Sequence, residues 1–219
     1  MMGLPRPGAV VCDLDGTLVD TVPTRIRAWL QTFGELGIPA DREHVASLIG
    51  SDGKWLAQQV AARAGRELPG PEAEAIDRRA GEIYGELNTD PRVLPGVLVF
   101  TEALRAAGIP WAIATSSRPE QVSHSVAALR LPELPVVVDG LQVRRAKPAP
   151  DLLLAAAQAL GTRPEVCWCV GDSRWDARAA TAARMVPVGV ATGSATREEL
   201  LADGARVVVD RLDELVDAL

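Results

Sequence analysis

At 219 residues the chain has room for one domain, or one domain carrying an insertion. Its 47% hydrophobic and 24% charged residues exclude a disordered, collagen-like or low-complexity polymer. Twenty-three basic residues against 29 acidic ones give a net charge of −6, the wrong sign for an electrostatically driven binder of nucleic acid or anionic membrane, so neither is expected as a partner. No apolar run approaches the roughly 18 residues of a membrane span, and the opening Met1-Met2-Gly3-Leu4-Pro5-Arg6-Pro7 lacks the apolar stretch of an export signal. The three cysteines, Cys12, Cys167 and Cys169, are an odd number set in apolar runs. That argues against a disulfide framework and for a reducing, cytoplasmic setting.

In chain order, Ala9–Cys12 is a short apolar run ending in acids, and it reads as a first strand. Residues 21–90 then hold no strand pattern and read as an inserted helical domain. Ile26, Trp29, Leu30 and Phe33 recur at helical spacing, Asp41 and Asp52 are placed to cap two further helices, and Pro71 opens a last one towards Leu87. Asp20-Thr21-Val22-Pro23 and Asn88-Thr89-Asp90-Pro91, rich in turn formers, border the insertion as hinges.

Beyond it, helices are predicted at 97–107, from Pro119, at 151–160 and after the capping box Thr196-Arg197-Glu198-Glu199. Strands are predicted at Trp111–Ala114, Val136–Val138, 166–170, Val186–Val190 and 206–209. Strand alternating with helix defines an α/β fold with a parallel sheet, and valine runs without in/out alternation fit strands covered on both faces. Cys167 and Cys169 read as buried thiols rather than half of a zinc site, since only His44 and His124 could complete one. The five tryptophans read as core or hinge packing.

Ligands of open parallel sheets bind beyond the carboxyl ends of the strands. There this sequence places Asp13-Leu14-Asp15-Gly16-Thr17, then Thr115-Ser116-Ser117, then Gly171-Asp172-Ser173-Arg174-Trp175-Asp176, with Lys147 at the entrance to a helix. Asp13 and Asp15 sit two apart at one strand end, and Asp172 and Asp176 arrive from another. Four converging carboxylates repel one another unless a cation joins them. Oxygen ligands without a nearby histidine favour Mg²⁺ over zinc.

These segments resemble the four signature motifs of the haloacid dehalogenase (HAD) superfamily, in its phosphatase branch with a small helical cap. Asp13-Leu14-Asp15-Gly16-Thr17-Leu18-Val19-Asp20 is similar to the first motif, Thr115 to the second, Lys147 to the third, and Gly171-Asp172-Ser173 with Asp176 to the fourth. The resemblance covers most of the chain and points to phosphoglycolate phosphatase-like or β-phosphoglucomutase-like members. It implies a Rossmann-like, doubly wound parallel core (1–20 and 91–219), an inserted α-helical cap (21–90), and Mg²⁺-dependent hydrolysis of small phosphorylated metabolites through an aspartyl-phosphate. Asp13 would be the nucleophile, being ionised at neutral pH without help. Asp15 would be the general acid and base, and in the family it also presents its backbone carbonyl to the metal. Gly16 permits the turn behind it, and Asp13, Gly16, Thr115, Ser116 and Lys147 would cradle the phosphoryl group. Asp172 would ligate Mg²⁺, and Asp176 would orient metal-bound water or Lys147.

Several positions keep two readings. Ser173 hydrogen-bonds near the metal or caps its helix, and Asp20 caps the first inserted helix or stiffens the hinge. Lys54, in the cap loop Gly50-Ser51-Asp52-Gly53-Lys54-Trp55, meets an anionic substrate group or is an exposed lysine at a helix start. Arg118 and Arg174 are further candidate anion contacts. A sugar phosphomutase of the β-phosphoglucomutase type is the alternative activity. A dehalogenase fits less well because that branch lacks a second acid like Asp15, and a silent binding module fits poorly with four intact motifs. The assembly is expected to be a monomer or a homodimer.

Overall fold

The computed structural model describes residues 3–219, so Met1 and Met2 of the opening segment lie outside the described residues. Six parallel strands form the central sheet: β1 (Ala9–Cys12), β4 (Trp111–Ala114), β5 (Val136–Val138), β6 (Cys167–Gly171), β7 (Val186–Val190) and β8 (Val207–Val209). Their spatial order is β5-β4-β1-β6-β7-β8. The chain therefore builds outward from β1 through β4 to β5, then returns to place β6 on the other side of β1. That reversal opens a crevice at the carboxyl end of β1. Register is fixed by pairs such as Val11↔Ala112 and Val11↔Cys169 on either side of β1.

Alternate β1 side chains feed two separate cores. Val10 and Cys12 pack with Ile113, Trp168 and Val170 on one face, beneath α5 (Val97–Ala106) and α6 (Pro119–Ala128). Ala9 and Val11 pack with Ala112, Ala114, Cys167 and Cys169 on the other, beneath α7 (Asp151–Ala159) and α8 (Arg174–Ala183). Burial on both faces is why the strands read as continuous apolar runs. The predicted strands at 166–170 and 206–209 shift by a residue, the first because Pro164–Val166 closes a 3-10 turn ahead of β6. The Thr196 capping box opens α9 (Arg197–Ala202) as expected.

Between β1 and α5 run four helices: α1 (Val22–Glu35), α2 (Arg42–Leu48), α3 (Gly53–Arg63) and α4 (Gly70–Leu87). They share an apolar core that includes Phe33, Val45, Leu56, Val60 and Ile76, to which α8 contributes Trp175. Asp41 accepts from His44 N at 2.8 Å and Asp52 from Lys54 N and Trp55 N at 3.0 and 3.1 Å, the predicted caps. A feature too short to leave a periodic signal joins this layer to the sheet: β2 (Val19–Asp20) pairs antiparallel with β3 (Arg92–Val93). Asp20 lies in that ribbon and Thr21 takes the N-cap position of α1, which corrects the capping reading of Asp20.

All five tryptophans pack against the apolar cores. Cys12, Cys167 and Cys169 are free and buried, and burial pushes each thiol upward. Among the described residues no helix is long and apolar enough to cross a membrane.

Candidate active site

Asp13 follows β1 and Asp172 follows β6, so adjacent strands deliver both to the crevice, and the first turn of α8 adds Asp176. One oxygen from each of these three buried carboxylates lies within 4.8 Å of the others. The Lys147 ammonium is fully buried among them. Its Nζ lies 2.5 Å from Asp13 Oδ1 and 2.7 Å from both the Ala114 carbonyl and Asp176 Oδ1. Burial alone would lower the lysine, but Asp13 and Asp176 outweigh it and hold the cation charged.

Asp172 accepts from Thr17 Oγ1 at 3.0 Å and Ser194 N at 2.8 Å. Two glycines make room for it. A Cβ on Gly16, whose φ is 85°, would meet Asp172 Oδ2 at 2.6 Å, and one on Gly193 would meet it at 1.9 Å.

Three carboxylates against one ammonium leave surplus negative charge. Burial, helped by Asp176, pushes Asp172 up to about 7, and burial with the neighbouring acids drives Asp13 upward against the pull of Lys147. Asp176 Oδ1 is buried and, although beside Lys147, takes no hydrogen bond. A crowded set of hard oxygens with an unused lone pair fits a small divalent cation such as Mg²⁺.

Asp15 departs from the sequence reading. Its carboxylate is not in the three-acid group but grips the start of α1, so the expected four-carboxylate cluster is corrected to three. Oδ1 accepts from Thr21 Oγ1 at 2.6 Å, and Oδ2 from Arg25 Nη2 at 2.9 Å and Ser117 Oγ at 3.0 Å. Burial opposes ionisation here, but Arg25 with these hydroxyls outweighs it and holds the carboxyl below its ordinary value.

Asp13, Asp15, Thr115 and Ser116 line one cleft of about 40 Å³ between the sheet and the helical layer. Thr115 Oγ1 accepts from Ser117 N at 3.1 Å, and Ser116 Oγ donates to the Gly50 carbonyl at 3.1 Å. Ser173 caps α8 in a reciprocal box with Asp176, its Oγ 2.5 Å from Asp176 Oδ2. This fixes the Asp176 oxygen that does not face Lys147.

The three candidate anion contacts lie outside the cleft lining, each already holding a carboxylate. Lys54 Nζ is 3.7 Å from Glu74 and half-exposed. Arg118 holds Asp77 through Nε and Nη2 at 3.0 and 2.8 Å, and pairs with Glu74 as well. Arg174 holds Asp203 at 2.9 Å.

In their place the cleft presents Arg25, Asp77, Tyr84 and Gln121, which the sequence did not single out. Arg25 Nη1 donates to Gln121 Oε1 at 2.8 Å, and its guanidinium lies 3.7 Å from the Tyr84 ring centroid. One signal pointed there: Arg25 is one turn beyond Thr21, directly after the Asp13–Asp20 segment, so the two share the helix face above the acids.

A doubly wound parallel sheet whose switch point holds clustered carboxylates and a buried lysine, covered by a helical layer, defines a class of phosphoryl-processing enzymes. The family model for haloacid dehalogenase-like hydrolases matches residues 7–184, and the chain belongs to that family. It is 34% identical to hexitol phosphatase A of Escherichia coli (strain K12) over 206 residues, 93% of this chain and 86% of that one. It is 31% identical to phosphoglycolate phosphatase of the same strain over 230 residues, covering 96% and 91%. Among solved structures, a hydrolase from Pseudomonas syringae superposes with a TM-score of 0.90 at 29% identity, covering 95% of this chain and 96% of that one. The chain is a HAD-like phosphoric monoester hydrolase.

Proposed function

We propose that the chain is a Mg²⁺-dependent phosphatase of small phosphorylated metabolites, with residues 21–90 acting as a cap over a catalytic core of 1–20 and 91–219. The reading rests on one observation above all: Asp13 lies at the cleft with Lys147 on one oxygen and Asp172 and Asp176 beside it. Asp13 and Asp172 would hold Mg²⁺ with the Asp15 backbone carbonyl, the last carried over from the family. The ion supplies the positive charge that lets a carboxylate approach a phosphate dianion. Three buried free thiols fit a reducing, cytoplasmic setting.

Asp13 attacks phosphorus and the ester oxygen departs with a proton from Asp15, leaving an aspartyl-phosphate. Asp15 then takes a proton from the water that attacks that phosphorus, releasing phosphate and restoring Asp13. Lys147, the Thr115 hydroxyl and Ser116 hold the phosphoryl oxygens as charge spreads over them. Arg25 holds Asp15 as the carboxylate, the form the second step needs, so for the first step that grip loosens as the phosphate ester enters and Asp15 takes up a proton from solvent, which the second step then regenerates. The cleft has room for on the order of three waters. Substrate entry therefore needs the cap to swing away, with the β2–β3 ribbon as its pivot.

The phosphomutase alternative requires a bisphosphorylated intermediate in the cleft. The one guanidinium of the lining, Arg25, is already engaged by Asp15 and Gln121, so it is not an uncommitted cation for that second phosphate. The test is phosphate release from p-nitrophenyl phosphate with Mg²⁺: expected in the wild type, lost on chelation and reduced at least ~10³-fold in Asp13→Asn. Full activity in that variant removes the nucleophile assignment.

A further inference from the structure

Trp175 belongs to the sheet layer by chain and to the helical layer by packing. It stands in the first turn of α8, between the acids Asp172 and Asp176, yet its indole is buried in the apolar core of the helical insertion. Among the described residues, every other member of that core lies within 21–90. Its ring meets Trp55 of α3 edge-on, with 5.0 Å between centroids, and its Nε1 donates to the Ser47 carbonyl in the last turn of α2 at 3.2 Å. The loop after α2 is drawn down beside it. Gly50 lies so close to the start of α8 that an added Cβ would meet Ser173 Oγ at 2.7 Å and Trp175 Cδ1 at 3.6 Å. The same loop is hydrogen-bonded to two catalytic segments: Ser116 Oγ donates to the Gly50 carbonyl at 3.1 Å, and Asp52 N donates to the Lys147 carbonyl at 2.8 Å. When the layers part, water replaces such polar bonds at small net cost. The indole has no such substitute, because withdrawing it exposes apolar surface on both sides. Of the contacts that hold the loop down, Trp175 therefore sets most of the cost of lifting it.

We propose that Trp175 is the latch of the cleft: seated, it holds residues 47–52 down on Ser116 and Lys147, and it must leave the apolar core of the insertion before an ester can enter. It touches neither substrate nor reacting atoms and is a positioning residue. The inference rests on residues 21–90 acting as a cap and goes beyond that reading by naming the side chain that keeps the cap shut.

Residue-resolved hydrogen exchange of the Asp52 amide reads the latch without substrate, because its acceptor is a carbonyl of the other layer and is lost when the loop lifts. In the wild type this amide is expected to exchange faster than that of Val11, in the middle of the sheet, since lifting the cap requires less than unfolding the core. In Trp175→Ala, Asp52 is expected to exchange at least about tenfold faster than in the wild type, a modest floor for removing a buried aromatic side chain. Trp175→Phe keeps a ring in the apolar core and gives up the Ser47 bond, so its Asp52 amide is expected to fall between the two, at least about threefold faster than the wild type. That variant carries the test if Trp175→Ala does not fold. Asp52 exchange that stays unmoved in a folded variant while the melting temperature falls confines Trp175 to packing and overturns the inference. Exchange of Asp52 and Val11 at one common rate in the wild type overturns it too, because the cap would then not lift apart from unfolding. Failure to hydrolyse even p-nitrophenyl phosphate instead overturns the phosphatase reading, and the exchange comparison still decides this one.

Discussion

Lys147 is an ammonium with no exposed surface, kept charged by Asp13 and Asp176. Removing one partner of a buried charge cluster leaves the other charges uncompensated, which typically costs about 3–5 kcal/mol. Lys147→Met should therefore lower stability by about that amount in denaturant titrations run with chelator, and Mg²⁺ should restore part of the loss. Phosphate release should fall by ~10²-fold or more, the scale of a lost phosphoryl-stabilising donor. An unchanged denaturation midpoint would remove Lys147 from the cluster. The lysine was legible in the sequence because the surrounding segments repeat a family pattern in order. Arg25 was not, because its significance depends on α1 folding back over Asp15. The ion pairs of Lys54, Arg118 and Arg174 were not legible either, because their partners, Glu74, Asp77 and Asp203, are distant enough in sequence that only packing brings them together.

At the scale of elements, the start of α8 carries two tasks at once. Ser173 closes a capping box with Asp176, and the same carboxylate turns its other oxygen to Lys147. Ser173→Ala should lower stability by about 0.5–2 kcal/mol, the range of a lost N-cap. It should also weaken kcat, because Asp176 loses a donor that fixes its rotamer. Loss of stability with kcat untouched would confine Ser173 to capping. The Asp41, Asp52 and Thr196 caps were legible because side-chain caps obey local spacing rules, whereas Ser173 kept two readings in the sequence, a contact near the metal or a cap. The sequence could not reveal the β2–β3 ribbon, whose strands are two residues each and whose pairing spans the whole helical insertion.

Across the whole molecule, the helical layer and the sheet meet at the acids, so charge there bears on the stability of the entire fold. Asp172, raised to about 7, takes up protons more readily in the folded chain than in the unfolded one, where an aspartate titrates near about 3.9. In chelator, stability should therefore decline as pH rises from about 4 to about 7, because the unfolded state ionises first, and level off above. Mg²⁺ favours the ionised carboxylates and should flatten or reverse that decline, which thermal melts at pH 5 and pH 8 with and without the ion would read. A melting temperature independent of Mg²⁺ at pH 8 would contradict a cation site among Asp13, Asp172 and Asp176. The most direct examination of the chemistry is to quench a single turnover with borohydride, which reduces an aspartyl-phosphate to homoserine, and to sequence the product. Homoserine at position 13, absent in Asp13→Asn, is the predicted result; turnover that leaves Asp13 unmodified, or places the modification on another residue, would contradict it.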